Sequence, residues 1–302
     1  MKKKKNKSTL RKKEIIQSYL MVGASTILLF AFVLFPLFWQ LRWCLFSYRG
    51  HGEATFVGLD NFIRVFERSP KYWLSVKNTF VFTFGKLLIE IPVAMVLAFI
   101  LSRDIKGRDF FRTVYFMPSM ISVAVMGVVF TYLFAHNTGV INELLKAVGM
   151  KPVKWFANGG TAMGVLMAAS IWANFGINMI FIMTGIQSIS PDMYEAAELD
   201  GATGPQQFIH ITIPLLGPVL QMVLMNAILG SLKVTDEVLV LTNGAPNGKT
   251  EVMMTYIYKQ FFQNSSARDY GYGSALTVIT ALILGVLTFV YLKVTKKSGD
   301  VY

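Results

Sequence analysis

The chain has 302 residues, 54% of them apolar and only 15% charged, with a formal net charge of +12. That balance excludes an ordinary water-soluble globular domain and points to a helical membrane protein. The positive charge does not indicate a nucleic-acid partner, because eight basic residues crowd into Lys2–Lys13 with no aromatic residues among them.

The Lys-rich start leads into an apolar run at Tyr19–Leu41. This run passes into Gln40, Arg42 and Trp43 without a small-residue cleavage site, so it reads as an uncleaved first span and not as a signal peptide. Five more runs of spanning length follow at Asn78–Leu101, Thr113–Phe134, Thr161–Thr184, Ile213–Leu232 and Gly273–Leu292. Short connections leave no room for a separate soluble domain. The expected architecture is all-α integral membrane with six transmembrane helices: a basic tail at 1–18, a six-helix transmembrane domain at 19–293, and a short tail at 294–302.

Basic residues near span ends set the orientation. The N-terminal cluster, then Arg103, Lys106, Arg108 and Arg112 after span two, then Lys293, Lys296 and Lys297 at the end, all predict cytoplasmic termini. The loop after span four is then cytoplasmic too. Yet Gly185–Thr212 has no Lys or Arg and carries Asp192, Glu195, Glu198 and Asp200. A basic partner protein would explain such a loop.

Local signals within it predict a short helix. Ser190 suits an N-cap, Pro191 the first helical position, and Asp192 and Glu195 the positive end of the dipole. Gly201 can end the helix in a left-handed conformation, and Thr203 or Gly204 before Pro205 can begin another. Ala196 and Ala197 leave one side slim enough for a partner's groove.

Other patterns lead nowhere. Gly244–Thr250 imitates a phosphate-binding loop but has three residues between its glycines where four are needed. Asn264-Ser265-Ser266 is a glycosylation triplet by pattern only, and His51, His136 and His210 lie in different loops with no carboxylate spacing that makes a metal site or a triad. Cys44 is the single cysteine, which excludes an intrachain disulfide and reads as a small packing residue. No catalytic constellation and no metal site is expected.

Glu195, Ala196, Ala197 and Gly201, followed at the right distance by Ile211 and Pro214, resemble the docking loop (190–214) of bacterial ABC importer permeases, with Ile213 where that family usually has Leu. Further resemblance is to the sugar-importer branch, and to the first of its two permeases. It rests on Phe35-Pro36, Phe56–Phe62, Asn78-Thr79, Arg112 through Met117-Pro118, Gly139–Asn142, Trp155-Phe156, Leu241–Pro246 and Tyr270–Ala275. Two departures stand: Gly244-Ala245-Pro246 replaces Gly-Gly-Pro, and the extra N-terminal spans and outer domain of the larger maltose-type permease are missing.

The resemblance implies a non-catalytic subunit of the bacterial cytoplasmic (inner or plasma) membrane. It implies a heterodimer with a second permease, two ATPases that bind ATP and Mg, an extracytoplasmic solute-binding protein, and a sugar carried by alternating access. Glu195, Ala196, Ala197, Asp200, Gly201, Ile211 and Pro214 would couple to the ATPase. An ABC permease for another solute, or a secondary transporter, remains an alternative.

Polar residues inside the spans are candidates for the substrate path. Ser170, Asn174 and Asn178 recur at four-residue steps, and so form one stripe on span four. Asn226, Gly230 and Lys233 make a comparable line on span five, with Ser231 and Asp236 nearby. Amides pair with sugar hydroxyls, and Trp172 offers a face for a pyranose ring; helix-to-helix hydrogen bonding is the competing reading. Lys86 and Glu90, four apart on span two, are expected to neutralise each other.

Overall fold

The computed structural model describes residues 17–50, 52–263 and 268–299, with side chains as far as Thr295. The Lys2–Lys13 cluster, His51, the Asn264–Ser266 triplet and the side chains of Lys296 and Lys297 lie outside the described residues. The chain divides into two compact units, one formed by residues up to Arg68 with Gln260–Ile279, the other by Ser69–Lys259 with the residues from Thr280 onward.

In the first unit, the span Gln17–Trp43 keeps its most apolar stretch unburied, as a lipid-facing helix would. It contains a wide turn at Phe30–Leu34 in which the Phe35 N–H donates to Phe30 O, just ahead of Pro36. Proline lacks an N–H and its ring crowds the carbonyl four residues back, so an added residue in the turn relieves the clash. After the span, Phe46–Ser47 and Thr55–Phe56 pair antiparallel, and helix Asp60–Arg68 follows. Buried Asn61 donates to Cys44 O at 3.0 Å and Phe46 O at 2.9 Å, which satisfies two turn carbonyls at once. Cys44 is 2% exposed and burial pushes its thiol up to about 11, consistent with a packing role.

The second unit is built on spans two, Pro70–Ser102, and four, Gly159–Gln187, which pack along each other more extensively than any other pair of elements. Small residues permit this. Ala94 and Ala98 of span two and Ala162 and Ala169 of span four are fully buried, while Leu88 and Ile89 on the opposite side of span two are exposed. One core cluster gathers Phe82, Phe130, Leu166 and Val238; a second gathers Ile91, Leu101, Met183 and Val223.

Spans three and five are not the straight helices expected at Thr113–Phe134 and Ile213–Leu232. Each is a bent pair, Arg108–Met120 with Val123–Leu133 at 100°, and Gly204–Leu215 with Gly217–Leu232 at 75°. Ile121 is extended and Ser122 caps the second half of span three by accepting the Val125 N–H at 3.4 Å, so a new helix starts there. Pro218 removes a backbone donor at the bend in span five, and Pro214 again follows a wide turn, Phe208–Thr212. Among the described residues, four helices are therefore long and apolar enough to cross a membrane by themselves, six if each bent pair counts as one span. The first half of span three reaches span four at Gly176, where any Cβ would lie 2.0 Å from Tyr115 O.

Two buried asparagines close the loops. Asn142 donates to Ala135 O, His136 O and Val153 O and accepts from the Val153 N–H and Trp155 Nε1. Asn78 donates to Gly248 O at 3.1 Å and Glu251 O at 2.9 Å, while Thr79 Oγ1 beside it accepts the Met253 N–H. Several of the motif residues noted in the sequence are thus hubs for backbone groups that would otherwise be unpaired.

Candidate functional site

A cavity of about 300 Å³ opens between spans two, four and five. Span two contributes Phe82, Lys86 and Glu90; span four contributes Ser170, Asn174, Asn178 and Phe181; span five contributes Asn226, Gly230 and Ser231, and Glu237 follows. Lys86 Nζ lies 3.3 Å from Glu90 Oε2, with side chains only 6% and 0% exposed. Each partner has a second contact: Lys86 donates to Ser231 Oγ at 3.4 Å, and Asn178 Nδ2 donates to Glu90 Oε1 at 2.6 Å. Asn174 turns its amide back on Ser170 O at 2.8 Å and remains half-buried. The result is a charged pair stitched across three spans, beside a polar opening.

The acidic loop after span four forms a helix at Pro191–Leu199 in which no residue is buried. Ser190 occupies the N-cap position without a side-chain cap bond. Gly201 has φ +80°, its N–H donates to Glu198 O, and the Ala202 N–H reaches Ala197 O. That double bond pattern around a left-handed residue is a Schellman stop. Gln206 accepts the Thr203 N–H at 2.7 Å and starts the next helix. The loop is tied down at two places: Tyr194 Oη and Thr212 Oγ1 are 3.0 Å apart, and Arg103, at the end of span two, donates to Gln207 Oε1 at 3.3 Å. A cavity of about 520 Å³ lies behind the helix, lined by Arg103, Tyr194, Glu195 and Glu198 among others.

Residues 90–296 match the family described as binding-protein-dependent transport system inner membrane component. The chain belongs to this family. The permease is 32% identical to the arabinooligosaccharides transport system permease protein of Bacillus subtilis (strain 168) over 247 residues, 81% of this chain and 77% of that protein. It is also 32% identical to the trehalose/maltose transport system permease protein of Thermococcus litoralis over 248 residues, 82% of each chain. A permease chain of a bacterial ABC transporter involved in the import of alginate has the same fold, with a TM-score of 0.82 at 24% identity, covering 94% of this chain and 96% of that one.

Within the permease, Ser170, Asn174, Asn178, Asn226 and Ser231 come together around one cavity. Trp172 and Lys233 do not join them. Trp172 lies against Phe130, ring centroids 5.6 Å apart, and packs on the core cluster of Phe82, Phe130, Leu166 and Val238; Lys233 is exposed at the end of span five. Helix geometry explains Trp172: two residues from Ser170 and from Asn174 is about 200° around the axis, the opposite face. Sequence reasoning missed two residues. Arg103 served only as an orientation marker, and nothing in the spacing of Glu237 relates it to span two. Its place just after an apolar span was the only available signal.

Proposed function

We propose that this permease carries a sugar or oligosaccharide across the bacterial cytoplasmic membrane, as one half of a heterodimer with a second permease. The observation that carries the reading is the polar cavity of Ser170, Asn174, Asn178 and Asn226 within an otherwise apolar bundle. Amide and hydroxyl groups there can exchange hydrogen bonds with sugar hydroxyls, and the relatives named for arabinooligosaccharides and for trehalose and maltose support that substrate class. Asn226 and Gly230 are exposed at the cavity, so the second permease would complete its wall. An extracytoplasmic solute-binding protein delivers the sugar. The exposed helix Pro191–Leu199, with Asp192, Glu195 and Glu198, offers an acidic surface to a basic groove on a partner ATPase, and Leu199, 90% exposed, offers an apolar contact. That partner binds ATP and Mg and hydrolyses the ATP. ATP-driven closure of the ATPases moves the docking loops and switches the cavity between the two sides of the membrane.

Replacing Asn174 tests the substrate path. Asn174→Leu removes a hydrogen-bonding amide and adds bulk, so uptake by the assembled transporter should fall about tenfold or more, with an altered ranking among related sugars. Unchanged uptake and ranking would return the stripe to helix packing.

Orientation has its own test, made in a Cys44→Ser background. Lys106 and Lys154 are both exposed, in the loops after spans two and three. With cytoplasmic termini, Lys154→Cys should react with an impermeant thiol reagent in intact cells, whereas Lys106→Cys should react only after permeabilisation. The reverse pattern would invert the topology.

A further inference from the structure

The ionisable side chains that line the cavity do not balance. Lys86 and Glu90 neutralise each other, Lys86 donating to Ser231 and Asn178 donating to Glu90 Oε1, while Glu90 Oε2 faces Lys86 without a hydrogen bond among the described residues. Glu237 lines the same cavity, and its Oε2 is buried with no hydrogen-bond partner among the described residues. The side chain is held there by its backbone: Glu237 sits in the first turn of the short helix Asp236–Leu241, whose Val238 and Leu241 are anchored in the core cluster with Phe82 and Leu166. One lysine and two glutamates leave a net charge of minus one, and the lysine is already engaged.

An ionised carboxylate only accepts hydrogen bonds, and a buried oxygen without a donor is costly. An occupant that brings an ammonium group meets a favourable charge across the cavity, and a neutral one meets no repulsion. An occupant that brings a second carboxylate meets a like charge where water screens it poorly. The favourable position of Glu237 near a helix N-terminus is a separate and purely structural benefit.

We infer that Glu237 is a specificity-determining residue that makes the cavity accept neutral and amino sugars and reject acidic ones. The inference rests on the reading that this cavity is the sugar path, and it adds a charge rule to it.

The test uses the complete transporter with its binding protein in proteoliposomes. The probes are matched sets made from lactose, maltotriose and arabinotriose: the neutral alditol, the aldonic acid and the 1-amino-1-deoxyalditol. Comparing variants with the same binding protein cancels that protein's own preference. Glu237→Gln should raise the acid-to-neutral uptake ratio about tenfold or more and lower the amine-to-neutral ratio, while Glu237→Asp keeps the wild-type ratios. Asn226→Asp, at an exposed lining position, should move the acid-to-neutral ratio in the opposite direction, and it serves if Glu237→Gln does not assemble. Unchanged ratios in Glu237→Gln, or in Asn226→Asp where Glu237→Gln does not assemble, overturn the inference while leaving the carbohydrate reading intact. A wild-type transporter that hydrolyses ATP yet takes up no member of any set overturns both.

Discussion

Glu195→Lys in the assembled transporter is expected to lower sugar uptake about a hundredfold, with the chain still inserted and still associated with its permease partner. Glu195 is exposed on a helix with no buried residue, so the substitution costs the fold little. Under the proposed coupling its effect falls on the docking surface, where a lysine would face a basic partner. Like charges at an interface cost several kcal/mol, which is about two orders of magnitude in an equilibrium. Gly201 offers an independent route to the same loss. Proline there cannot adopt φ +80°, and it removes the N–H that donates to Glu198 O, so the Schellman stop is lost. Gly201→Ala separates conformation from crowding: no atom lies within 4 Å of the added Cβ, leaving only the cost of positive φ, about 1 kcal/mol. The expected order of uptake is wild type, then Gly201→Ala, then Gly201→Pro and Glu195→Lys. Normal uptake by well-expressed Glu195→Lys would remove the helix from the coupling path.

The second large effect is on stability. Lys86→Met should destabilise the protein by about 3–5 kcal/mol, because it strands Glu90, whose side chain is fully buried, with one amide as partner. Lys86→Met combined with Glu90→Gln should recover most of that loss, since a glutamine oxygen can still accept from Asn178 and neither member of the pair is then charged. Denaturant unfolding in detergent measures both. A cost below about 1 kcal/mol for the single substitution would mean that water reaches the pair and that it behaves like an exposed one.

The membrane class, the number of apolar runs and the short helix Pro191–Leu199 follow from the sequence by local physics. Length and hydropathy define a span, Pro191 suits the first turn of a helix, and Gly201 takes a positive φ that a Cβ would disfavour. The Lys86–Glu90 pair was legible for the same reason, since four residues is one helical turn. Tertiary structure alone decided the rest. A nearly uniform apolar helix does not announce which face turns inward, so only packing puts Asn178 on Glu90, 88 residues away, and Ser231 on Lys86, 145 residues away. Packing also brings Phe130 to Trp172 and holds Glu237 in the cavity, whereas spans three and five break at the local signals Ser122 and Pro218. Periodicity fixes what a helix can present along its own axis; its rotation about that axis is set by neighbours that lie far away in the chain.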